Sequence, residues 1–163
     1  MPEFRKVLPS DDFGAIARIY VHSWRAAYRD IVPQAYLDGL SEARWEENLR
    51  KSASDSYVLL LDGQYIGTSA ICPARDETME GWGEVISAYL LPEYFGKGYG
   101  KLLLGGAVAA LREKGYAQIY LWVLEKNARA RVFYERNGFQ PTPDRMALSI
   151  GGEELAEMRY VSF

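Results

Sequence analysis

The chain has 163 residues, 48% of them apolar and 25% charged, with a formal net charge of -3 and a sequence pI of about 5.3. That is the length and mix of one globular domain, 1–163, with enough apolar residues for a sizeable core. A mildly acidic chain lacks the basic face of a general nucleic-acid binder, its one cysteine, Cys72, excludes an internal disulfide, and no apolar run is long enough to span a bilayer.

The opening Met-Pro-Glu-Phe-Arg-Lys has no apolar signal-peptide core, so a cytoplasmic protein is expected. Phe4–Leu8 reads as a short strand. Ser10-Asp11-Asp12 then offers helix caps, and Ile16, Ile19, Tyr20, Ser23, Trp24, Ala27 and Tyr28 follow on one helical face. Pro33 opens a short second helix through Leu37 and Leu40, and Ser41 caps a third that turns Trp45 and Leu49 inward. Tyr57–Leu61 and Tyr65–Ile71 read as strands of a hairpin turning at Asp62-Gly63, and residues 73–82 as a polar loop.

Val85–Leu91 is almost wholly apolar or small, as in a strand buried on both faces. Pro92 ends it, because proline donates nothing to a ladder. Gly96, Gly98 and Gly100 follow at alternate positions, then a helix with Leu103, Leu104, Ala107, Val108, Ala110 and Leu111 on its apolar side and Gly115 as its stop. A glycine turn feeding a helix start presents free N–H groups at the positive end of the helix dipole, which suits phosphate; a plain loop is the alternative. The turn is no Walker A loop, because Phe95 and Leu102 stand where that motif needs Gly and Ser/Thr. Nor is it a dinucleotide fingerprint, because the third glycine of Gly-x-Gly-x-x-Gly is missing from either start.

Ala117–Leu124 is a second buried strand, which makes a βαβ unit with parallel strands. Asn127–Arg136 is the next helix, closed at Asn137-Gly138. Strands near Arg145–Ile150 and Glu154–Val161 flank Gly151-Gly152, a hairpin turn. The pattern gives one mixed α/β sheet with helices on both faces.

Two stretches in this order, Leu90-Leu-Pro-Glu-Tyr-Phe-Gly-Lys-Gly-Tyr-Gly-Lys-Leu-Leu103 and Asn127 followed by Val132-Phe-Tyr-Glu-Arg-Asn-Gly-Phe139, resemble the acyl-CoA signature and the Asn…Tyr…Gly-Phe segment of the GNAT superfamily of N-acetyltransferases. The family's leading Gln/Arg is Phe95 here. The resemblance implies the acyl-CoA N-acyltransferase fold, a mixed sheet of about seven strands whose two central parallel strands splay to admit the pantetheine arm of CoA. It implies acetyl transfer from acetyl-CoA to a primary amine of a small molecule or peptide by direct attack. A catalytically silent CoA- or nucleotide-binding regulatory domain is the alternative.

On that resemblance the main chain of Gly96, Lys97, Gly98, Tyr99, Gly100 and Lys101 binds the diphosphate, with the Lys97 and Lys101 charges helping. Tyr89 and Leu90 pair with the pantetheine arm, and the Leu90 N–H faces the developing oxyanion. Asn127 contacts the cosubstrate, caps its helix, or does both. Tyr134 is the general acid for the departing thiolate, the alternative being a core aromatic beside Phe133 and Phe139. Glu84 is the candidate base, the alternative being an exposed strand-end carboxylate. Strict alternation puts residues 84, 86, 88 and 90 on one strand face, and where other members carry a Glu on the following strand this chain has Trp122. Trp24 and Tyr28, at i and i+4, line the amine pocket or belong to the core. His22 is as much a surface residue as a catalytic one. Cys72 is an acyl-carrying nucleophile or inert packing. One His and one Cys give no metal set. No nucleic-acid or membrane partner is expected, and a homodimer through the late hairpin is a possible assembly.

Overall fold

A computed structural model describes residues 1–52 and 54–163. Seven strands form one sheet in the order β1-β2-β3-β4-β5-β7-β6: β1 (Pro2–Lys6), β2 (Asp55–Leu61), β3 (Gln64–Pro73), β4 (Gly83–Leu90), β5 (Ile119–Leu124), β6 (Gln140–Ile150) and β7 (Glu153–Ser162). Among the described residues only β4 and β5 run parallel; every other pairing is antiparallel. The helices are α1 (Phe13–Ala27), α2 (Gln34–Asp38), α3 (Glu42–Lys51), α4 (Tyr99–Glu113) and α5 (Ala128–Arg136).

Local chemistry sets these boundaries. The Asp12 side chain accepts from Ala15 N–H and Ser41 from Arg44 N–H, so α1 and α3 start on side-chain caps. The hairpin turns at Asp62-Gly63 and Gly151-Gly152 hold both residues at positive φ, as a two-residue turn between twisted strands requires. The last hairpin is longer than its sequence pattern, with β6 starting at Gln140 behind an irregular register between Pro141 and Arg145. Conversely, β5 begins at Ile119, two residues later than the apolar run.

One face of the sheet packs against α1, α2 and α3, through Ile16 and Tyr20 over Val58 and Leu60, and through Val32 and Leu37 over Leu124 and Leu155. The other packs against α4 and α5, through Leu104, Ala107 and Leu111 over Val85, Leu121 and Met158, with Phe133 and Tyr134 at the margin. These apolar layers supply the main stabilisation of the fold.

Two irregularities of β4 shape the centre. First, its pairing with β5 covers only Gly83–Val85 opposite Ile119–Leu121; beyond Leu121 the ladder of β5 runs only to β7, so the two parallel strands part. Second, a bulge inserts Ile86 between the rungs Ile71–Val85 and Ala70–Ser87. The bulge reverses the alternation. Ser87 and Tyr89 meet Tyr20 on the α1 side, whereas Ala88 and Leu90 pack with Leu103 of α4. The expectation that 84, 86, 88 and 90 share one face is therefore incorrect: Glu84, opposite in sense to Val85, belongs with Ser87 and Tyr89.

Candidate functional site

The parting of β4 and β5 opens a cleft of about 670 Å³. One end is the glycine turn after β4. Gly96 and Gly98 have φ of 73° and 88°, a left-handed conformation that suits residues without a Cβ. Gly98 is the N-cap of α4 and makes no side-chain cap. Among the described residues no acceptor takes the N–H groups of residues 96–101; the first helical bond recorded there is Leu102 N–H to Gly98 O, at 3.4 Å. Gly96, Gly98, Gly100 and Lys101 of this turn form part of the cleft lining.

The turn separates the residues expected there. Lys97 does not line the cleft; its ammonium lies 5.9 Å from the centre of the Tyr94 ring. Tyr99 packs edge-on against the same ring. Neither residue is part of the cleft lining. A cation that the sequence reading did not single out lines the cleft instead. Arg129, in the first turn of α5, stacks its guanidinium 4.1 Å from the centre of the Phe95 ring and lines the cleft. Phe95 stands at the position of the family's Gln/Arg, so a cation reaches this spot from another helix. Asn127 caps α5 by accepting from Ala130 N–H at 3.2 Å and is nearly buried at the cleft wall.

In the middle of the cleft the free edge of β4 is exposed. Leu91 N–H donates to Ile66 O on β3 at 2.8 Å. Main-chain groups of successive strand residues point to opposite edges, so the Leu90 N–H points away from β3, into the gap. The gap also lets side chains from the two faces of the sheet meet. The Tyr28 and Tyr89 hydroxyls are 3.3 Å apart, and Tyr134 approaches from α5, its ring against Phe133, Phe139 and Tyr160. Burial, reinforced by Tyr89, pushes the Tyr134 phenol well up, and burial raises Tyr28 to about 12. Both hold their protons at neutral pH. Trp24 stacks edge-on to Tyr28 at 4.8 Å and to Trp45 at 5.4 Å, with its Nε1 buried and, among the described residues, without a partner. Trp24 and Tyr28 thus belong to the core and the cleft wall at once.

Glu84 is 1% exposed. It is no strand-end surface residue, but neither is it free. Its Oε1 accepts from Tyr120 Oη at 2.7 Å, from Arg75 N–H at 3.2 Å and from Arg75 Nε at 3.1 Å, while Arg75 Nη2 binds Oε2. Burial pushes the carboxyl up, but the Arg75 and Tyr120 hydrogen bonds outweigh it and hold Glu84 below its ordinary value. A carboxylate so saturated is a weak proton acceptor. The sequence pattern had no means of bringing Arg75, in a polar stretch, onto Glu84. Cys72 lies 3.9 Å from Glu84; burial and that negative charge push its thiol up to about 11, which makes it a poor nucleophile. His22 sits outside the cleft, facing Glu42 across 3.9 Å.

Comparisons with known proteins bear on the family and the fold. The model of the acetyltransferase (GNAT) family matches residues 13–139. The chain is 30% identical over 154 residues to YuaI of Bacillus subtilis, an uncharacterized N-acetyltransferase, covering 91% of this chain and 86% of that one. It is 27% identical over 165 residues to the spermidine N(1)-acetyltransferase of Thermoplasma acidophilum, covering 98% of each. Among solved structures, PaiA N-acetyltransferase of T. acidophilum in complex with coenzyme A superposes with a TM-score of 0.78 at 22% identity, over 99% of this chain and 98% of that one. YncA of Salmonella typhimurium, a putative acetyltransferase with its cofactor acetyl-CoA, gives 0.72 at 20% identity over 99% and 92%. At those identities the two structures speak for the fold.

Proposed function

The chain belongs to the acetyltransferase (GNAT) family, and from that premise we propose that it moves an acetyl group from acetyl-CoA to a primary amine by direct attack inside the cleft between β4 and β5. The observation that carries this reading is the coincidence of two features: strands that stop pairing after Val85 and Leu121, and a turn beside the gap whose N–H groups have no acceptor among the described residues.

The residues present fit the cosubstrate. Free amides at a helix N-terminus favour a diphosphate through both hydrogen bonding and the helix dipole, and Lys101 and Arg129 add positive charge at the mouth. Acetyl-CoA supplies an activated acyl group as a thioester. Beyond the diphosphate, Tyr89 and Leu90 offer the free edge of β4 to the amides of the pantetheine arm. The Leu90 N–H stabilises negative charge that develops on the carbonyl oxygen. The Tyr134 hydroxyl, kept protonated by burial, gives its proton to the leaving sulfur. Direct transfer is favoured over a Cys72 relay because that thiol stays protonated and is absent from the cleft lining.

The test measures CoA-thiol release from acetyl-CoA across a panel of primary amines, together with the melting temperature in acetyl-CoA alone. An enzyme shows both amine-dependent release and a stability gain by mass action. A stability gain with no release from any amine would assign the chain to the alternative, a silent CoA-binding domain. Neither effect would remove the reading.

A further inference from the structure

The same cleft is lined by a carboxylate that neither motif includes. Glu157 is on β7, where it is the register partner of Leu124 on β5 and of Met146 on β6. Its neighbours two residues away, Leu155 and Arg159, mark the face: Leu155 packs with Val32 and Leu37 under α1 and α2, and the Arg159 guanidinium lies over the Tyr120 and Trp122 rings. Glu157 is half-buried and lines the cleft. Among the described residues its side chain has no ion pair and no hydrogen bond, whereas the Glu84 carboxylate accepts five, counting the long contact from the Cys72 thiol. Leaving a carboxylate desolvated and unpaired between leucine and methionine is unfavourable for folding alone, and such residues mark functional sites more often than structural ones.

Resting on the reading of this cleft as an acyl-transfer site, we infer that Glu157 receives the ammonium group of the acceptor and takes its proton, and that the acceptor is a primary monoamine with an apolar body. The second half follows from what surrounds Glu157. Trp24, Leu148 and Ile150 complete the wall, and the other lining carboxylate, Glu84, is already neutralised by Arg75. A polyamine carries further ammonium groups, and this lining offers them no second free anion.

The charged and titratable groups facing Glu157 leave its role intact. Tyr28 from α1 is protonated. Glu84 from β4 and Arg75 beside it act in opposite senses. On β7 itself, Arg159 is held by Asp76 at 2.8 Å and faces Asp144 at 3.4 Å. Burial dominates and raises the Glu157 carboxyl, which brings its proton affinity closer to that of an amine. In the reaction the nitrogen loses two protons as its bond to the acyl carbon forms and the carbon–sulfur bond breaks. One passes through Glu157 to water. The other restores Tyr134 after its hydroxyl has protonated the sulfur.

Hexylamine, 2-phenylethylamine and spermidine, tested on the wild-type protein and on Glu157→Gln with acetyl-CoA, decide the matter. Wild type is expected to use the two monoamines with a higher kcat/KM than spermidine. Glu157→Gln is expected to lose about 100-fold in kcat/KM for them near neutral pH. It should recover much of that loss as pH rises towards about 10, where solution supplies the free amine. The acetyl-CoA-induced rise in melting temperature should be the same in both proteins. A Glu157→Gln enzyme with wild-type kcat/KM at every pH, or a wild-type preference for spermidine, would overturn the inference while leaving the acyl-transfer reading in place. So would turnover of none of the three despite a normal melting shift. Absence of the shift in wild type would instead strike the acyl-transfer reading itself.

Discussion

Glu84 and Tyr120 face each other on one of the last rungs that join β4 to β5, and the Tyr120 hydroxyl donates to the Glu84 carboxylate at 2.7 Å. One rung further on, after Val85 and Leu121, the strands stop pairing. The contact therefore closes the base of the cleft, and Arg75 caps it from outside with its guanidinium.

Glu84→Gln should be a stability variant more than a catalytic one. It removes a charge-assisted pair and leaves Tyr120 with a poorer acceptor, at about 1–3 kcal/mol. The expected result is a lower melting temperature, with kcat reduced less than tenfold, as read by denaturation and thiol release below the transition. A loss of 100-fold or more in a folded protein would restore Glu84 as the base.

Tyr134→Phe should show the opposite pattern. The hydroxyl makes no hydrogen bond among the described residues, and the ring contacts with Phe133, Phe139 and Tyr160 survive the substitution. Stability and acetyl-CoA binding should hold while kcat falls by about 100-fold. Pre-steady-state and steady-state rates with one amine measure it, and unchanged turnover would leave Tyr134 as a packing residue.

Gly98→Val tests the cradle. With φ at 88°, a β-branched residue there is strained by about 1–2 kcal/mol, and relaxing that strain turns the free amides aside. The acetyl-CoA-induced melting shift should vanish. Gly105→Ala is the control within the same helix. A Cβ at Gly105 meets nothing within 4 Å, so this variant should gain about 0.5–1 kcal/mol from helix propensity and keep the shift.

The pH dependence of stability has a definite sign. Asp11 is held well below its ordinary value by the Arg5 guanidinium, against the opposing effect of burial and with help from Leu8 N–H and Tyr65. Glu84 is also lowered, with burial opposing and Arg75 and Tyr120 prevailing. In both cases the unfolded chain binds the proton more readily. Stability from these groups is therefore full above the ordinary carboxylate range near about 4 and is lost as pH falls through and below it. Urea titrations from pH 7 to pH 3 should show the loss, and Asp11→Asn should flatten part of it.

What the sequence made legible was local. The caps at Asp12 and Ser41, the turns at Asp62-Gly63 and Gly151-Gly152, and the path from Pro92 through Gly98 into α4 each depend on a few adjacent residues, and each lies where the pattern placed it. Asn127 and Tyr134 could be named as candidates because they sit within one short segment. The rest depended on register and on distant contacts. The one-residue bulge at Ile86 inverts the faces of β4, and no propensity marks a bulge in an apolar run. Arg75 reached Glu84 from a stretch that read as loop. Glu157 lies far from either motif, and only the pairing of β7 with β5 and β6 reveals that it looks into the cleft. An alternation count along Glu154–Val161 would have placed it beside Leu155 and Arg159 on one face, but not which face bordered the gap.

The central claim is that main-chain amides at the start of α4 grip a diphosphate, and amide NMR during a titration with CoA tests it most directly. The account predicts that the Gly96, Gly98 and Gly100 amide signals move far downfield and become protected from exchange, ahead of any change elsewhere in the helix. Saturable CoA binding that leaves those three signals where they began would contradict it.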